Sequence, residues 1–135
     1  MDVFDIWNEQ KRILHQKDLP EFYVNEREIW YVKMGKNVGF EQNGKKDFKR
    51  PVLVLKKVGN LFFVMALTTQ GRDNHFYYCF QGFRFFSQHK LRGRKSYAVL
   101  SQVKSMDKRR FIEKMGIVPE GEFRHIKRKL RALFL

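Results

Sequence analysis

Two short stretches of this 135-residue chain hold side chains able to act on a phosphate. In Lys45-Lys46-Asp47-Phe48-Lys49-Arg50-Pro51 a basic loop runs into an apolar run, so the backbone at Arg50 is held by the proline and ladder that follow. A guanidinium anchored in this way offers a two-pronged donor to a phosphate. The same position also suits an ordinary cation flanking a strand. In Thr68-Thr69-Gln70-Gly71-Arg72 polar groups close the apolar run Leu61–Leu67. Hydroxyls at a strand end can hydrogen-bond an oxyanion, and they equally form a plain turn. Other chemistries have less to stand on. His15, His75, His89 and His125 are scattered, with no pair at helical spacing and no carboxylate cluster suited to Mg²⁺ or Ca²⁺. Neither GxxxxGK[ST] nor GxGxxG occurs. The single cysteine, Cys79, sits inside HFYYCF and reads as a packed thiol. One cysteine rules out an internal disulfide and a Cys-rich zinc site, which points to a reducing, cytoplasmic setting. No metal or cofactor is expected.

The charge says what such groups would meet. Lys and Arg number 28 against 14 Asp and Glu, a net of +14. Residues 1–34 carry five bases and seven acids (5 − 7 = −2), and residues 35–135 carry twenty-three and seven (23 − 7 = +16). A basic body behind a slightly acidic leader suits a polyanion partner, RNA or DNA. An anionic membrane fits less well, because the basic clusters fall on loops as well as helices. No run approaches the roughly 18 apolar residues of a membrane span. The opening MDVFDIWNEQKR lacks the layout of a signal peptide, so none is expected. Apolar residues at 43% and aromatics at 16% provide for a packed core.

Several elements must position these groups. Val3, Ile6, Trp7, Gln10, Ile13 and Leu14 recur at helical spacing, predicting an amphipathic helix over residues 2–17. Glu28–Lys33 reads as a strand, followed by a long polar loop from Gly35 to Lys49. The runs 51–55 and 61–67 flank Gly59-Asn60 and read as a hairpin of buried strands. Further strands are expected at 75–80, 83–86 and 96–100, with a basic loop at 87–95. Asp107–Met115 reads as a short helix capped by Gly116. Pro119 opens a last helix, with Phe123, Ile126, Leu130, Leu133 and Phe134 as its buried stripe. Short strands with helices at both ends spell a β-dominated α+β domain, a small barrel.

In order along the chain stand REIWYVKMG, NVGFEQNG, KRPVLVL, ALTTQ and SYAVLSQVKSMDKRR, then a C-terminal amphipathic helix. This series resembles the MazF/PemK toxins of toxin–antitoxin pairs over residues 27–135, with residues 1–20 as an N-terminal helical extension. The resemblance implies an SH3-like β-barrel, a homodimer, an acidic antitoxin partner and no membrane. It also implies metal-independent, sequence-selective cleavage of single-stranded RNA. The family's catalytic arginine in its RPV motif corresponds to Arg50, and the first threonine of its TTQ motif to Thr68. Glu41 and Gln42 match the loop shaping substrate entry, and Gln102 a position near the site. Asn37, Phe40, Lys45, Lys46, Lys49, Gln70 and Arg72 complete the expected RNA contacts, with lysines and Arg72 on phosphates and Phe40 as a stacking face. Three departures stand out: Lys45–Phe48 lengthen the loop before Arg50, residues 1–20 are additional, and residues 80–95 are longer and more basic. A CcdB-like toxin acting on gyrase and a barrel that binds nucleic acid without cutting it are the two competing functions.

Overall fold

A computed structural model describes residues 3–16, 21–34, 49–81 and 95–134. Its elements are helix α1 (Val3–Gln16), strands β1 (Glu28–Lys33), β2 (Lys49–Val58), β3 (Leu61–Thr68), β4 (Tyr77–Cys79), β5 (Tyr97–Asp107) and β6 (Phe111–Ile117), and helix α2 (Glu120–Phe134). A 3-10 turn, Lys108–Arg110, links β5 to β6. The strands form one antiparallel sheet in the order β4-β5-β3-β2-β1-β6. β-Branched and aromatic residues explain why β1, β2 and β3 are strands: both faces of each are covered, so their apolar runs are nearly unbroken.

The sheet is coiled. Four strand spacings separate β5 from β6 in the ladder order, about 19 Å if the sheet were flat. The link from Asp107 to Phe111 reaches at most about 14 Å when extended, and a 3-10 turn is shorter still. The two strands can be joined only if the sheet bends round. Phe62 of β3 and Phe111 of β6 accordingly meet edge to face with centroids 5.3 Å apart. The concave side holds Trp30, Val32, Val52, Val54, Phe62, Val64, Met106 and Phe111. On the convex side α2 lays Phe123 and Ile126 over Ile29, Leu53, Met65, Leu67 and Leu100. Between β2 and β3 the pairing slips by one residue at Leu55, a β-bulge that increases the local bend.

Polar ties fix the joints. The Tyr78 hydroxyl donates to Glu122 Oε2 at 2.8 Å, and the Gln81 N–H donates to the same oxygen at 2.6 Å, pinning α2 to β4. Burial and the Glu122 carboxylate push the Tyr78 phenol well above its ordinary value. Glu28 accepts from the Asn25 N–H (2.8 Å) and Trp30 Nε1 (3.1 Å) and pairs with Lys114 Nζ (2.8 Å).

The sequence expectations need four corrections. Asp107–Met115 is not a helix. Asp107 accepts from the Arg109 N–H and caps only the 3-10 turn, and Gly116, expected as a helix cap, lies inside β6 opposite Ile29. Beyond the turn the chain is taken up by pairing with β1. The predicted strands 75–80 and 96–100 are Tyr77–Cys79 and Tyr97–Asp107. In α1 only Trp7 is buried, and Ile13 is 61% exposed, because the helix meets the body along one narrow strip. Phe134 is 60% exposed at the end of α2, past the edge of the sheet that Phe123 and Ile126 cover. The long loop, strand 83–86 and most of loop 87–95 lie outside the described residues.

Candidate functional site

Arg50 is the second residue of β2 and Thr68 the last of β3. The pairs Val54↔Val64, Leu53↔Met65 and Val52↔Ala66 share one register, and running it on two residues sets Arg50 opposite Thr68. Directly opposed residues on antiparallel strands have Cα atoms about 4.5–5.5 Å apart and point to the same face. That face is the concave one, because Val52, Val54 and Val64, two and four residues away, belong to it. Residues 18 positions apart in sequence therefore become side-by-side neighbours at one end of the sheet.

Both side chains are mostly withdrawn from water, Arg50 at 9% and Thr68 at 8% exposure. Burial lowers the Arg50 pKa from its ordinary value. An arginine nonetheless stays protonated in proteins, so this is a desolvated cation with fixed donor directions. Thr68 Oγ1 accepts from the Gln70 N–H at 3.1 Å, which sets the rotamer and leaves the hydroxyl its own proton to donate. A cation and a hydroxyl donor held side by side with little exposure to water can stabilise charge developing on a phosphoryl oxygen.

Other residues stand close to the pair. Tyr97 pairs with Thr68 across to β5 and so shares its face. Its ring lies on Gly71 so closely that a Cβ there would stand 2.1 Å from Tyr97 Cγ. Lys49, adjoining Arg50, pairs with Lys33 of β1. Gln70 and Arg72 are exposed just beyond Thr68. Gln102 is half-buried on β5, between the Leu67↔Ala98 and Met65↔Val103 pairs, and so lies near Ala66 rather than Thr68. Asn37, Phe40, Glu41, Gln42, Lys45 and Lys46 lie outside the described residues, in the segment that leaves β1 after Met34 and enters β2 beside Arg50. Sequence reasoning did not single out Tyr97 or Gly71, because neither carries a signal until the β3–β5 pairing is known. Among the described residues no group of three or more His, Cys, Asp or Glu could hold a metal ion. No described helix is long and apolar enough to cross a membrane.

Comparison with solved structures gives the same fold. MazF (form I) from Deinococcus radiodurans superposes with a TM-score of 0.65 at 19% identity, covering 84% of this chain and 98% of that one. The Mycobacterium tuberculosis toxin MazF-mt6 gives 0.59 at 13% identity, with 80% and 96% covered. A MazE–MazF structure (form II), again from Deinococcus radiodurans, gives 0.60 at 16% identity, with 84% and 97% covered. No curated protein matches the sequence. The family of PemK-like, MazF-like toxins of type II toxin–antitoxin systems matches residues 25–134, leaving only α1 and the segment after it outside. A match over that much of the sequence makes this chain a member of the PemK/MazF toxin family.

Proposed function

We propose that this chain is a metal-independent, sequence-selective endoribonuclease that cuts single-stranded RNA and serves as the toxin of a toxin–antitoxin pair. The observation that carries the reading is the opposition of Arg50 and Thr68 on one face of the sheet. RNA brings its own nucleophile, the 2′-OH beside each phosphate, so the protein needs only to align and stabilise. In the proposed step the 2′ oxygen attacks phosphorus in line with the departing 5′ oxygen. The products are a 2′,3′-cyclic phosphate and a 5′-hydroxyl. Arg50 offsets the charge on the phosphoryl oxygens and hydrogen-bonds the leaving oxygen as charge gathers on it, while the proton that oxygen takes up comes from another group. Thr68 donates to a phosphoryl oxygen or positions the attacking hydroxyl. A guanidinium that stays protonated does not take the 2′ proton, so that role falls to another group.

Lys49, Gln70 and Arg72, close in sequence to Arg50 and Thr68, are the described candidates for holding flanking nucleotides, with Asn37, Phe40, Glu41, Gln42, Lys45 and Lys46 on the preceding segment and Gln102 farther along β5. In this reading the coiled sheet is an SH3-like barrel, residues 1–20 are an appended unit on a 27–135 domain, and the protein works in the cytoplasm as a homodimer. An acidic antitoxin neutralises the basic body, as the MazE–MazF pairing of a structural neighbour suggests.

The test is incubation of purified protein with single-stranded RNA in EDTA, followed by analysis of the new ends. Cleavage leaving cyclic phosphate and 5′-hydroxyl ends is expected. Arg50→Lys and Thr68→Val should each lower the rate about 100- to 1,000-fold, the usual effect of losing one aimed donor, with thermal melting near that of the parent. RNA left intact, or cut at the parental rate by Arg50→Lys, contradicts the proposal.

A further inference from the structure

α1 is tied to the sheet end that holds Arg50. Its buried residue, Trp7, lies under the Arg110 guanidinium, 5.3 Å from ring centroid to Cζ. Arg110 Nη1 donates to the Lys33 carbonyl at 3.2 Å. Lys33 pairs with Lys49, the neighbour of Arg50. Through the pairs Arg50↔Val32 and Val32↔Phe111, Arg50 stands two strand spacings, about 10 Å, from the residue after Arg110.

Between α1 and the 3-10 turn opens a cleft of about 310 Å³, lined by Lys11, Leu14, His15, Asp107, Arg109 and Arg110. Among the described residues its acid is Asp107, which caps the Arg109 N–H at 2.8 Å and pairs with Arg109 Nη1 at 3.5 Å. Lys11, Arg109 and Arg110 outnumber that carboxylate. Arg12 joins Lys11 and His15 in an adjoining hollow on the outer side of α1. The helix dipole explains bases toward the end of α1. It does not explain arginines facing them from a different element. Two different elements each bring cations to this cleft, which is the arrangement that holds a flexible polyanion by its backbone.

We propose that this cleft is a phosphate-binding subsite, in which α1 holds the RNA backbone beyond the nucleotides at the scissile linkage. That the polyanion is RNA rests on the ribonuclease reading above.

The experiment measures binding of non-cleavable 2′-O-methyl oligouridylates, a trinucleotide and a dodecanucleotide, by fluorescence anisotropy on the full chain. The double variant Lys11→Glu, Arg12→Glu changes two exposed residues of α1. The control, Arg124→Glu, Lys129→Glu, makes the same charge change on exposed positions of α2. The α1 variant should bind the dodecamer about tenfold or more weakly than the control does, with the trimer affinities of the two alike, because only the longer strand spans both sites. Arg109→Ala should weaken dodecamer binding in the same selective way. Dodecamer affinities within about threefold for the α1 variant and the control overturn the subsite. So does a parent protein that fails to bind the dodecamer. Failure of the ribonuclease reading looks different: the parent binds the dodecamer with the expected dependence on α1, yet leaves the corresponding RNA uncut.

Discussion

Arg50 and Thr68 show how much a single side chain owes to its backbone. Neither is unusual in type, and their residue identities were readable from the sequence as a strand-flanking cation and a strand-end hydroxyl. Their adjacency was not, because it depends on a register that only cross-strand pairing fixes. Glu28 is a second residue whose role emerges only from its surroundings. Burial raises its pKa, but the hydrogen bonds from Lys114, the Asn25 N–H and Trp30, together with the Lys114 charge, outweigh that and leave the carboxyl below its ordinary range. A depressed folded-state value means that the ionised form stabilises the fold. That contribution is complete above the unfolded value near 4.3 and is lost as pH falls through the lower folded one. Glu28→Gln should therefore cost about 1–3 kcal/mol at pH 7, and the gap from the parent should narrow at pH 3. Urea titrations at the two pH values check this, and a gap of equal size at both contradicts it.

Elements were legible where their pattern was local. β1 has the limits its own β-branched and aromatic run predicts, and the β2–β3 hairpin turns at Gly59-Asn60, where Gly59 has a φ of 62°, although β2 runs from Lys49 to Val58 rather than over 51–55 alone. The misread segment was β6. Its buried residues, Phe111 and Met115, are four apart and mimic a helical face. The cause is that pairing with β1 slips twice, between Ile29 and Trp30 and between Tyr31 and Val32, so strict alternation is lost. The turn after β3 is another joint that local pattern could not reveal. Gly71 has no room for a side chain, because the Tyr97 ring fills the place of its Cβ. Gly71→Ala must displace either the ring or the segment after Thr68. The expected result is a loss of about 1–3 kcal/mol, typical of overpacking, with RNA cleavage falling further than stability alone explains. Gly71→Ala paired with Tyr97→Ala should recover stability. Denaturation and cleavage assays on both variants decide the point, and a parental Gly71→Ala would show that the ring yields freely.

For the whole molecule the decisive quantity is charge. The net of +14 was plain from composition, but the coiling of the sheet was not, since it follows from a three-residue link between strands at distant places in the ladder. Coiling gathers Arg50, Lys49, Lys33 and Arg110 toward one end although they come from two strands and a turn. Single-stranded RNA bound there should lose affinity steeply with salt, with a slope of log K against log [salt] of about −2 or steeper, given about 0.7 per phosphate contacted. Titrations across a range of KCl concentrations measure it, and a slope near zero contradicts a phosphate-dominated interface.

The slip at Leu55 has an outcome far from where it occurs. On the turn side of it the paired residue numbers sum to 119 (58 + 61, 57 + 62, 56 + 63), and on the other side to 118 (54 + 64, 53 + 65, 52 + 66). Had the first arithmetic continued, Arg50 would face Thr69 instead of Thr68. One supernumerary residue in the middle of a strand thus chooses between two adjacent, chemically identical hydroxyls. A one-residue insertion between Arg50 and Leu55 would reverse the choice while leaving the apolar content of both strands nearly intact.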